Sequence, residues 1–150
     1  MLNYAWIALA VLAADQITKR LALSLTEAVP LIPGVIGLRL ARNTGVAFSL
    51  FSGMPWLTVG LSAAILAAGA LLLRRCRLGT LSKTGAMLIL GGAVSNLLSR
   101  VIEGHVIDMI EILLFRFAVF NVADTALTVG CGLMILSLLI RPAEWEKRNE

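Results

Sequence analysis

Charged side chains make up only 15% of these 150 residues and aromatic ones 6%, while 59% are hydrophobic. So small a polar fraction cannot cover a soluble globule of this size, and a mean hydropathy of +0.90 places the chain in lipid. There is a single histidine, His105, which excludes a multi-histidine metal centre. The two cysteines, Cys76 and Cys131, have neither metal-ligand spacing nor a disulfide pattern and are read as structural. No serine sits beside a candidate base, and nothing in the chain calls for a cofactor. The 13 basic residues outnumber the 9 acidic ones, but they are scattered between apolar runs and form no stripe that tracks a phosphate backbone, so nucleic acid is not expected as a partner. With no internal repeat, low-complexity tract or linker, residues 1–150 read as one domain.

The apolar runs are what the sequence has in abundance. A bilayer core needs about 20 apolar residues per helical span, and four runs fit, at about residues 4–25, 55–73, 84–102 and 117–140. The fold class expected is an all-α integral membrane protein of four transmembrane helices with a small extracytoplasmic β-structured loop region. The first run has no basic segment before it, and Asp15 and Lys19 continue its helical pattern, so it is read as a retained helix and not as a cleaved signal. Pro30, Pro33 and Gly34 prevent the helix from continuing, and Ile36, Leu38 and Leu40 then alternate with Gly37, Arg39 and Ala41, the period of a strand over 36–48 resting on the membrane. Gly85, Gly91, Gly92, Ala93 and Ser95 allow the third run to pack closely on its neighbours. The basic connection containing Arg74, Arg75, Arg77 and Lys83 marks the cytoplasmic side, which puts both termini there.

Successive spans alternate in direction, so the end of the first, the start of the second, the end of the third and the start of the fourth share one face. All the intramembrane charge falls on that face: Asp15, Lys19, Arg100 and Asp124, with Asn96 and Asn121, and with Asn43 and Asp108 in adjoining loops. A charge in hydrocarbon costs at least about 2.5 kcal/mol, so the clustering needs a reason. Asp15 and Lys19, four residues apart on one helix, read first as a structural ion pair. Asp124 has no cation near it in sequence and must find a partner in space or hold a proton. Asp108 and Glu111 are the acidic residues of the facing loop. Two close carboxylates divide into one protonated and one ionised member, and such a pair activates water against a peptide carbonyl without a metal. His105, Glu103 and Glu111 read as solvated or interfacial residues. A small proton- or ion-coupled carrier with a pathway lined by Asp15, Arg100 and Asp124 is the rival reading, and the inner half of the bilayer lacks the polar residues it needs. An inactive scaffold for lipoproteins is a second rival.

Four stretches together resemble the lipoprotein signal peptidases, the signal peptidase II family of bacterial aspartyl peptidases. They are DQITK at 15–19, NTGVAFSLF at 43–51, GGAVSNLLSR through GHVIDMI at 91–110, and FNVADTALTVG at 120–130. The resemblance implies that Asp108 and Asp124 form a catalytic dyad in the inner membrane, towards its outer leaflet. It further implies that Asn43 and Gly45 line the substrate cleft, that Asn96, Arg100 and Asn121 support the site and contact the peptide backbone, and that Asp15 and Lys19 are structural. The substrate it implies is a prolipoprotein carrying diacylglycerol on its lipobox cysteine, cleaved just before that cysteine by a monomeric enzyme surrounded by membrane lipids. Globomycin-type inhibitors are expected in the same cleft. The chain departs from the family pattern at Ser95, where glycine is usual, at Ser99, where aspartate usually precedes the arginine, and at Met109, where phenylalanine is common.

Overall fold

The computed structural model describes residues 2–45, 53–74, 76, 78–115 and 117–145. The NTGVAFSLF stretch beyond Gly45, and the basic residues Arg75, Arg77 and Arg116, lie outside the described residues. Four helices, α1 Ala5–Ala22, α2 Pro55–Arg74, α3 Thr80–Glu103 and α4 Val122–Ile140, accompany a three-stranded sheet of β1 Val29–Ile32, β2 Ile36–Asn43 and β3 Val106–Ile112. The sheet is antiparallel in the order β1-β2-β3. Two of the helices, α3 and α4, are long and apolar enough to cross a membrane by themselves; α2 is apolar over Trp56–Leu71, and α1 carries Asp15, Lys19 and Arg20 towards its end.

The molecule is apolar outside and polar within. Trp56, Leu139, Trp6 and Ile65 are exposed, whereas Asp15, Lys19, Ser95, Asn96, Asp108 and Asn121 are buried. That is the reverse of a water-soluble domain, in which large apolar patches are rare and unpaired charges stay outside. With lipid as the surrounding solvent, apolar surface gains nothing by turning inward, and helices instead associate through small residues and polar contacts.

Both are visible along α3, where the buried positions Ser82, Gly85, Ala86, Gly92, Ser95, Asn96 and Ser99 lie along one face of the helix. A Cβ on Gly85 would lie 2.8 Å from the Gly130 carbonyl oxygen, and one on Gly130 would lie 2.7 Å from that of Gly85. Gly91 meets Ala8 of α1 in the same way, at 2.7 Å, and Gly92 meets the Ala123 carbonyl at 2.5 Å. These contacts seat α3 against α1 on one side and, on the other, against α4 from its first turn at Ala123 to Gly130. At the opposite end the Glu144 carboxylate caps α3, accepting from the Gly79 N–H at 3.0 Å and the Ser82 hydroxyl at 3.0 Å, since Gly79 has no side chain for the purpose.

Three boundaries differ from the sequence reading. Helix α3 starts at Thr80, so Lys83 lies in its first turn, over the Tyr4 ring at 5.9 Å, and not in a loop. The connection at 106–112 is a strand with four buried residues at its start. Helix α4 begins at Val122 instead of near 117, because Phe120 is held to β3 by backbone hydrogen bonds with Ile110 in both directions and Asn121 then caps the helix. Asp124 consequently sits in the first turn of α4.

Gly92→Ala is expected to force α3 from the α4 N-terminus and cost about 1–3 kcal/mol, seen as a lowered melting temperature in detergent. Gly132→Ala, where a Cβ meets nothing within 4 Å, is expected to leave it unchanged or raise it.

Candidate active site

The first-turn amides of α4 have no partners within the helix, and two side chains supply them. Asn121 at the N-cap accepts from the Asp124 N–H at 2.9 Å, while the Asp124 carboxylate accepts from the Asn121 N–H at 3.3 Å, a reciprocal capping box. Asp15, fully buried on α1, accepts from the Ala123 N–H at 2.8 Å. The start of α4 is thereby tied both to its own flank and to α1.

Strand β3 brings in the second carboxylate. The Met109 and Ile110 N–H groups both donate to the Phe120 carbonyl, which places Asp108 beside Asn121, and the Asn121 amide donates to Asp108 Oδ1 at 2.6 Å. From β2, where Ala41 is paired with Asp108, Asn43 donates to Asp108 Oδ2 at 3.2 Å. The Asn43 side-chain oxygen meanwhile accepts from the Gly45 N–H at 3.0 Å, a local turn that presents the Gly45 carbonyl to Arg100 Nη2 at 2.8 Å. Asn96 on α3 donates to Asp124 Oδ1 at 2.8 Å. The two aspartates therefore stand at one place, each receiving asparagine amide donors.

Asn43, Asn96, Arg100, Asp108 and Asp124 form the polar end of a cavity of ≈ 950 Å³. Its remaining walls are mostly aliphatic, with Ile65 and Leu66 from α2, Leu90 and Ala93 from α3, and Leu127 from α4 among them. Arg100 Nη1 reaches the Asn96 carbonyl at 3.3 Å, and its buried Nε has no partner among the described residues. Burial pushes the Asp108 carboxyl up to about 6, and the nearby Asp124 charge adds to the rise; the Asn43 and Asn121 amides and the Lys19 ammonium oppose it.

Asp15, Lys19 and Asn121 are buried and do not line the cavity, so what the geometry gives them is support. Lys19 pairs with Asp15 at 2.7 Å, as the spacing in sequence implied, and also donates to Asn96 Oδ1 at 2.7 Å and to the Ser99 hydroxyl at 3.2 Å. The two serines that depart from the family pattern belong to the same network. Ser95 donates to Asp15 at 2.7 Å, and Ser99 faces Lys19 and Gln16. Gln16, quoted within the DQITK stretch but given no role there, donates to the Ser95 hydroxyl at 2.9 Å; its place beside Asp15 and three residues before Lys19 was the available signal. Glu111 pairs with Arg39 across the sheet at 3.0 Å, and neither lines the cavity.

Comparison with known proteins gives the class first: the chain is a peptidase of bacterial membranes. More particularly, it belongs to the family described as Signal peptidase (SPase) II, whose profile matches residues 7–140. The lipoprotein signal peptidase of Geobacillus kaustophilus is 39% identical over 153 aligned positions, covering 98% of this chain and 99% of the relative. That of Brevibacillus brevis is 34% identical, covering 91% and 95%. A solved bacterial membrane enzyme superposes with a TM-score of 0.87 at 26% identity, covering all of this chain and 95% of the other; a second gives 0.84 at 27%, covering 94% and 95%. The chain thus has signal peptidase II function, and the carrier reading is not favoured.

The raised Asp108 carboxyl has a consequence for stability. A group whose folded pKa, about 6, lies above its unfolded value of 3.8 binds its proton more tightly in the folded state. Its contribution is full below the unfolded value and is lost as pH rises through the folded one. Wild type is therefore expected to gain stability relative to Asp108→Asn as pH falls from 8 to 5, read as the difference between their melting temperatures across that range.

Proposed function

We propose that the chain is an aspartic endopeptidase whose dyad, Asp108 and Asp124, removes signal peptides from diacylglyceryl-modified prolipoproteins by cleaving just before the lipidated cysteine. The observation that carries this reading is the convergence of these two carboxylates, each held by asparagine amides, at the polar end of one cavity. The ionised member takes a proton from water as the water oxygen attacks the scissile carbonyl. The protonated member donates to the carbonyl oxygen and then to the leaving amine. Burial favours retention of one proton between the two groups.

Arg100 Nε is left to donate to a substrate backbone carbonyl beside the dyad, while the other nitrogens of the guanidinium hold the Gly45 loop and the end of α3. The aliphatic walls suit the apolar part of a signal peptide or the acyl chains of the substrate.

The single domain crosses the membrane four times, with both termini in the cytoplasm and the site towards the outer leaflet. The two strongly apolar helices and the lipid-facing surfaces of all four support this arrangement. A substrate already anchored by its lipid then reaches the dyad by lateral diffusion, without withdrawal of its acyl chains. The enzyme acts as a monomer, and globomycin-type inhibitors occupy the same cavity.

In detergent with a diacylglyceryl-modified prolipoprotein, Asp108→Asn and Asp124→Asn are each expected to lower the cleavage rate by roughly 100- to 10,000-fold while keeping the wild-type fold, as tracked by gel shift and by mass spectrometry of the products. Near-wild-type turnover in either folded variant contradicts the dyad.

A further inference from the structure

Lys19 is 4% exposed, and a cation so deeply placed needs more than packing to account for it. Its ion pair with Asp15 lies within α1 and neutralises the charge. A pair with only that task needs no third contact, yet the ammonium is as close to Asn96 Oδ1 as to the aspartate, at 2.7 Å in each case. The Ser99 hydroxyl takes its remaining N–H, so all three donors are committed.

We propose that Lys19 is a positioning residue for Asp124 that acts through Asn96: the ammonium fixes which end of the Asn96 amide faces it and thereby holds an N–H donor on the Asp124 carboxylate. This inference rests on the dyad reading above. An ammonium can only donate, so the oxygen end of the Asn96 amide must face Lys19 and the NH₂ end must face Asp124, where it lies 2.8 Å from Oδ1. The reverse orientation sets NH₂ against ammonium and oxygen against carboxylate, two repulsive contacts in place of two charge-assisted hydrogen bonds. Asn121 also donates to Asn96 Oδ1, at 3.3 Å, but its NH₂ is bound more closely by Asp108. Lys19 does not line the cavity, so any effect it has on turnover is transmitted.

The charged groups around this path are Asp15 and Lys19 from α1, Arg100 from α3, Asp108 from β3 and Asp124 from α4. Among them only Lys19 touches the oxygen end of Asn96. The same logic governs the other two asparagines. The Asn43 and Asn121 oxygens are occupied by the backbone N–H groups of Gly45 and Asp124, and the NH₂ ends of both face Asp108. Asn96 is the one whose orientation depends on a side chain from a different helix.

The test is a double-mutant cycle of Lys19→Met and Asn96→Ala on cleavage of a diacylglyceryl-modified prolipopeptide by the full-length protein in detergent. Lys19→Met leaves Asp15 without its cation, so Asp15→Asn/Lys19→Met, which keeps an acceptor for the Ala123 N–H, is made beside it, and the cycle is read on whichever melts like wild type. In the wild-type background loss of Lys19 is expected to lower kcat about 10-fold or more with KM within about 2-fold, and in the Asn96→Ala background to change kcat by less than about 2-fold. An equal loss in both backgrounds, or no loss in the first, overturns the proposal. Asp124→Asn is assayed in parallel. If it turns over like wild type, the dyad reading itself fails; if it is inactive while the cycle is additive, only the role given to Lys19 fails.

Discussion

The amides at the start of α4 are the constraint from which the site is built. A helix start leaves N–H groups that must find acceptors, and here Asn121 and Ala123 are fully buried, so the acceptors must come from the protein. Asn121 and Asp15 are the acceptors. Meeting that requirement places Asp124 in the first turn, binds α4 to α1, and leaves the Asn121 NH₂ directed at Asp108. A local requirement of backbone chemistry thus becomes the geometry that brings two carboxylates from different elements together.

Around that point the fold is arranged to keep the polar network enclosed. The glycines of α3 bring helix backbones close enough that Asn96, Ser95 and Ser99 reach α1 and α4 directly. The sheet adds Asn43 and Asp108 from the side, and Phe115, Phe117 and Phe120, in the segment leading into α4, pack edge to face on one another. Side-chain hydrogen bonds between helices in lipid are worth roughly 0.6–2 kcal/mol each. A connected set of them is therefore a larger source of specificity here than apolar burial, which lipid does not reward.

Much of this was legible in the residues. The four apolar runs became four helices because length and hydropathy leave a buried or lipid-facing segment little else to form. The alternation at 36–41 became β2, and Asp15 and Lys19 became an ion pair because one helical turn separates them. Asp124 stood out as an acidic group with no cation nearby in sequence, and Asp108 as an acidic residue of the facing loop. What composition and periodicity did not carry was pairing in space. Strand β3 was read as a connection because its buried start, Val106 to Met109, shows no alternation when both faces are covered. The late start of α4 depended on the Phe120 bridge to β3, a tertiary contact. The place of Gln16 in the network depended on which face of α1 meets Ser95.

The central claim is that Asp108 and Asp124 hold a shared proton, and infrared spectroscopy of the purified protein tests it most directly. A protonated carboxyl band that titrates with a midpoint near 6, and that is lost or displaced in both Asp108→Asn and Asp124→Asn, is the predicted result. The absence of any carboxyl titrating between about pH 5 and 8, or a band left unchanged by both substitutions, would contradict it.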